Sequence, residues 1–113
     1  VFAHCDPVLL RLALRNLLDN AVKYSPHSSP VKFTVEFDDE AFGIRFAVYN
    51  KLADLNSLQG NIHERGKRGV DRAYDGYGVG LFIVSETARL HFGELSFYQT
   101  KPDDVTFVMF LPL

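Results

Sequence analysis

Apolar residues recur at helical spacing in two stretches of this chain and alternate at strand spacing in others, in an order that few folds can accommodate. The first helical stretch spans residues 7–24. Asp6 is suited to cap it, and Pro7 occupies the first helical position, where a missing N–H costs nothing. Leu10, Ala13 or Leu14, Leu17, Ala21 and Tyr24 are predicted to face a core. Residues 25–30, rich in Ser and Pro, read as a turn. Residues 31–37 then alternate apolar with polar, 38–40 make a short link, and 43–49 form a second strand, predicting an antiparallel pair.

Regular spacing is lost from about residue 50 to 75, a length more typical of a functional lid than of a connection. Short helices can interrupt it near 54–58. Helical spacing returns over 78–92, where Leu81, Val84, Ala88 and His91 share a face, and Gly93 ends it. Two further strands, 94–98 and 105–111, flank a turn at 101–104. Helix, hairpin, long loop, helix, hairpin predicts an α+β fold: a two-layer α/β sandwich with both helices on one face of an antiparallel or mixed sheet.

With 113 residues the chain has material for one domain, 1–113. Fourteen acidic against twelve basic residues give a net charge of -2, which supplies no general field for nucleic acid or an anionic membrane. Cys5 is the single cysteine, so no internal disulfide forms. No apolar run approaches the roughly 18–20 residues that span a bilayer. The chain starts at Val1 and reads as a piece of a parent that can itself be a membrane protein.

Two segments carry chemistry. In the first helix, at about 100° per residue, Asn20 lies about 40° from Asn16 and Lys23 about 20° from it on the other side, so the three share a face. A carboxamide oxygen is a hard ligand for Mg²⁺, and an ammonium beside it can meet a phosphate oxygen. The same spacing also suits an ordinary solvent-facing stripe. In the second segment, Gly76-Tyr77-Gly78-Val79-Gly80-Leu81 alternates three glycines directly before a helix. Glycine lets a ligand approach the backbone closely, and the free N–H groups of a helix N-terminus attract phosphate; a flexible hinge has the same composition. The pattern is neither a dinucleotide fingerprint, since Leu81 stands at the third glycine position, nor a P-loop, since no Gly-Lys-Ser or Gly-Lys-Thr follows.

Together these segments resemble the N box and second glycine box of the catalytic domains of bacterial two-component sensor histidine kinases, within the superfamily of gyrase, the heat-shock chaperone ATPase and the mismatch-repair ATPase. The terminal stretch 106–113 looks like that domain's last strand. The resemblance implies a Bergerat-type fold, a mixed, mostly antiparallel sheet with a long ATP lid at about 51–75. It implies ATP and Mg²⁺ as cofactors, with Asn20 as the Mg²⁺ ligand and Asn16, Asn20 and Lys23 as the catalytic set. Tyr24, Asn50, Gly76, Tyr77, Gly78, Val79, Gly80 and Leu81 complete the implied nucleotide site. The family's hydrolases carry Glu at the position of Asn16; asparagine has no useful basicity, so phosphoryl transfer is favoured over hydrolysis.

The acceptor is implied to lie elsewhere. His63-Glu64 sits between glycines without an apolar stripe, unlike the family's acceptor helix. The implied partners are a dimerisation and phosphoacceptor domain of the same protein and a response regulator, with no nucleic acid and no direct membrane contact. The implied location is cytoplasmic, with the parent anchored in the bacterial inner membrane. One segment departs from the pattern. Where the family has Asp-x-Gly-x-Gly to receive the adenine amino group, this chain has Asn50-Lys51-Leu52-Ala53-Asp54. Asn50 keeps a carbonyl acceptor and loses the charge, while Leu52 and Asp54 replace both glycines. Leu55 and Leu58 substitute poorly for the Phe-rich box. A degenerate domain kept for regulation or protein interaction is therefore the alternative reading.

Overall fold

The computed structural model describes residues 3–54 and 79–113. Helix α1 (Pro7–Tyr24) matches the predicted span. The Asp6 carboxylate accepts the Val8 and Leu9 amides at 2.9 and 3.2 Å, satisfying donors that the first turn leaves free. Ala13, Leu17 and Ala21 are buried, with Leu10, Leu14, Leu18 and Tyr24 packed beside them.

Four strands follow the predicted order: β1 (Lys32–Asp38), β2 (Gly43–Lys51), β3 (Glu94–Tyr98) and β4 (Asp104–Pro112). They form one sheet, β1-β2-β4-β3, and every pairing among the described residues is antiparallel. β2 runs two residues beyond its predicted end, because β4 offers Val105 and Asp104 as partners for Asn50 and Lys51. Helix α2 (Val79–Leu90) buries Leu81, Val84 and Ala88 completely.

Strand alternation assigns the two faces. Phe46, Val48, Leu95, Phe97, Phe107 and Met109 point to the helices and form the core. Phe97 and Phe107 meet with ring centroids 5.6 Å apart. Thr34, Ala47, Ser96 and Val108 lie on the opposite face. α1 packs over β2, and α2 packs over β3 and β4. Phe33, Val35 and Phe37 of the edge strand β1 consequently stay partly exposed.

The end of α2 is built against local preference. The Gly93 amide donates to the Ala88 carbonyl at 2.8 Å and the Phe92 amide to the Arg89 carbonyl at 3.0 Å, the paired bonds of a Schellman cap. That cap needs a left-handed residue, and Phe92 fills the position at φ 64° with its side chain 91% exposed. Gly93 cannot exchange roles with a larger residue: a Cβ there would lie 1.8 Å from the Phe110 carbonyl oxygen. The left-handed strain at Phe92 is offset by almost no packing. Phe92→Gly is expected to raise unfolding stability by about 0.5–1 kcal/mol, and Gly93→Ala to lower it substantially, both read from urea denaturation midpoints.

Candidate functional site

The two helices meet where the sequence placed its polar residues. The Asn16 side-chain Nδ2 donates to the Leu12 carbonyl one turn back, at 2.8 Å. Its Oδ1 is thereby turned toward α2, and a Cβ built on Gly80 would stand 3.0 Å from it. Glycine at 80 leaves space for that oxygen. Asn16 is thus a seated residue at the helix junction, not a free surface amide.

Asn20 lies one turn further along the same face, half-buried, and has no hydrogen-bond partner among the described residues. Its carboxamide remains available. Lys23 is exposed, with its Nζ 5.2 Å from the Tyr24 ring centroid, a cation–π contact that keeps the ammonium at the end of α1. The structure therefore aligns Asn16, Asn20 and Lys23 along one helix as the spacing predicted.

A second group closes the far end. Asn50 is only 1% exposed, on the helix side of β2. Its Nδ2 donates to the Lys51 carbonyl at 2.6 Å, so its Oδ1 is the free half of the amide among the described residues. The opposite amide orientation would set two carbonyl oxygens against each other, which fixes the assignment physically. Beyond β2 the chain is pinned twice: the Leu52 amide donates to Asp103 O at 2.7 Å, and the Ala53 amide to Tyr24 O at 2.9 Å. Leu52 itself is buried in the core. From Asn16 to Tyr24 the helix rises about 12 Å, so the second group lies by the C-terminal end of α1 while Asn16 lies near its middle.

Sequence reasoning missed what holds this end together. Asp104 is 2% exposed, and its carboxylate accepts the Thr100 and Lys101 amides at 2.9 and 3.1 Å as well as the Thr100 hydroxyl. Burial pushes this carboxyl up, but the bonds from Thr100 and Lys101 outweigh burial and hold it below the usual carboxylate range. The turn so fixed presents the Asp103 carbonyl to Leu52. An Asp closing a Pro-containing turn was the available signal, since such side chains bond nearby backbone.

Of the glycine segment, Gly76, Tyr77 and Gly78 lie outside the described residues, as does residue 55 onward in the lid. Val79 begins α2. Leu81 is fully buried.

Comparison with known proteins places this arrangement in context. The family model of histidine kinase-, DNA gyrase B- and HSP90-like ATPases matches residues 5–113. The chain is 34% identical over 98 residues to the sensor protein BasS of Escherichia coli K12, covering 87% of this chain and 26% of that protein. It is 41% identical over 86 residues to the sensor protein QseC of the same organism, covering 76% of this chain and 18% of that one. The catalytic domain of histidine kinase ThkA superposes with a TM-score of 0.74 at 19% identity, over 96% of this chain and 68% of that one, a likeness of fold. The chain thus spans about a quarter or less of the curated relatives it matches.

Two outcomes follow from the geometry. Gly80→Ala should be more favourable by at least about 0.5 kcal/mol in an Asn16→Ala background than in the wild-type chain; strict additivity in denaturation cycles would deny the contact. Asp104→Ala should cost about 1–3 kcal/mol, since a buried carboxylate and the hydrogen bonds it accepts from Thr100 and Lys101 are lost. Because the folded carboxyl titrates below its unfolded value of about 3.9, its stabilisation is present above that pH and is lost as pH falls through the folded value. Denaturation midpoints measured from pH 7 to pH 3 should therefore fall less steeply in the variant.

Proposed function

Because the chain belongs to the histidine kinase-, DNA gyrase B- and HSP90-like ATPase family, we propose that it binds Mg²⁺–ATP along α1 and presents the γ-phosphoryl group to a histidine outside itself. The observation that carries this reading is the row Asn16, Asn20 and Lys23 along one face of α1, with Asn16 set against Gly80 in the first turn of α2. The Asn20 carboxamide, half-buried and without a partner among the described residues, fits a hard divalent cation that also keeps phosphate and water ligands. When bound, Mg²⁺ supplies charge neutralisation to the phosphates.

The chain's own groups do the rest. Lys23 brings an ammonium to the polyphosphate. The Gly76–Gly80 segment and the first amides of α2 receive phosphate oxygens, with Tyr77, Val79 and Leu81 lining their approach. Tyr24 borders the base, and the Asn50 Oδ1 accepts the adenine amino group. Asn16 cannot serve as general base: its nitrogen is bound to Leu12, its oxygen abuts Gly80, and a carboxamide is not basic. Transfer to an incoming imidazole needs alignment more than base catalysis, which suits this set.

The acceptor and dimerisation domain then belongs to the same parent protein, and a response regulator takes the phosphoryl group onward. Residues 1–113 act as a single catalytic domain, with a lid at about 51–75, on the cytoplasmic side of a parent anchored in the inner membrane. No described helix is long and apolar enough to cross a membrane. One observation favours a second reading, a degenerate regulatory module: Leu52 and Asp54 stand where the family places glycines near the base.

Calorimetric titration separates the two readings. ATP and ADP are expected to bind with an Mg²⁺-dependent increment that Asn20→Ala lowers about tenfold or more, and Gly78→Val should weaken both. Absence of binding at millimolar nucleotide, with the fold intact, would leave only the regulatory module.

A further inference from the structure

His91 sits at the end of α2 with both ring nitrogens engaged. Its Nδ1 lies 2.7 Å from the Thr87 carbonyl oxygen, and its Nε2 lies 3.0 Å from the backbone nitrogen of Asp6, 85 residues away in sequence. A carbonyl can only accept, so Nδ1 carries the hydrogen. A backbone N–H can only donate, so Nε2 is bare. The two contacts independently select one species, the neutral Nδ1–H imidazole. The backbone at His91 is held by the Schellman cap, so the ring projects from a fixed base.

The other end of this link is the residue that starts α1. Asp6 caps the helix through its side chain and reaches His91 through its amide. We propose that His91 is a proton-sensitive positioning residue: neutral, it fixes the entry of α1 against the end of α2, and protonation releases it. An imidazolium would turn an N–H toward the Asp6 amide, donor against donor. The Asp6 carboxylate holds the Val8 and Leu9 amides through Oδ1 and makes no ion pair with the ring among the described residues, so reaching that hydrogen requires the Asp6 side chain or the ring to move. Either response changes how α1 begins.

On α2, Glu86 and Arg89 bind each other at 2.9 Å. From β3, Glu94 alternates onto the sheet face away from the helices, as its pairing opposite Phe110 requires. β4 turns only Val105, Phe107, Met109 and Leu111 toward the helices. From α1 the facing group is Asp6, with Arg11 and Arg15 further along the helix and His4 and Cys5 in the segment before it.

The consequence for ligand binding rests on the nucleotide reading above, since α1 carries Asn16 and Asn20 and α2 begins beside Gly80. The link itself does not, and it is tested without nucleotide. Long-range ¹H–¹⁵N spectra of the labelled chain, taken from about pH 8 to about pH 5, should show His91 as the Nδ1–H tautomer at the upper end. The Asp6 amide resonance should titrate together with the His91 ring. His91→Gln, which keeps an acceptor and cannot titrate, should abolish the Asp6 titration. In a second arm, wild-type Mg²⁺–ADP affinity should fall at least threefold more than that of His91→Gln over the same interval. An Nε2–H tautomer at pH 8, or an Asp6 amide indifferent to His91 protonation, overturns the proposal, and the wild-type spectra alone decide this if the variant does not fold. A titrating link with no nucleotide bound at any pH would keep the latch and reject the nucleotide reading.

Discussion

Everything in this domain depends on how closely α1 and α2 approach over one sheet. Their buried stripes are made largely of small residues: Ala13 and Ala21 from one helix, Ala88 from the other, with Gly80 where the helices meet at Asn16. Larger side chains at these positions would lift the helices apart and uncover Leu17, Leu81 and Val84. The same closeness puts a carboxamide on one helix against the first turn of the other. Packing and site are consequences of a single spacing, so that substitutions chosen for one will be felt in the other.

Much of this was legible in the sequence because helix and strand have such different periods. The Asp6-Pro7 start and the run of Leu and Ala placed α1 to the residue, and alternation placed the strands within a residue or two. The shared face of Asn16, Asn20 and Lys23 followed from helical geometry alone. Contacts between elements distant in sequence were not legible. Nothing in the order of residues says that His91 reaches the amide of Asp6, or that the Asp103 carbonyl, fixed by Asp104, holds Leu52. Nor did composition show that Phe92 would take a left-handed cap position, because propensity alone assigns that place to glycine.

The altered segment after β2 gains a physical account. Losing two glycines need not leave a loose or blocked pocket. Leu52 turns into the core, its amide and that of Ala53 are tied to Asp103 and Tyr24, and Asn50 is buried with its donor half engaged by Lys51. Asn16 is likewise held, by the Leu12 carbonyl on one side and Gly80 on the other. In both places a carboxamide is fixed by its backbone surroundings.

The central claim is that nucleotide lies along α1, phosphates toward Gly80 and base toward Asn50. Mapping amide shifts on addition of Mg²⁺ with a non-hydrolysable ATP analogue tests it most directly. The account predicts changes concentrated at Asn16, Asn20, Lys23, Gly80 and Asn50, and little change at Thr34, Ala47 and Ser96 on the other face of the sheet. Saturable changes confined to that opposite face, or none at all with millimolar analogue, would contradict it.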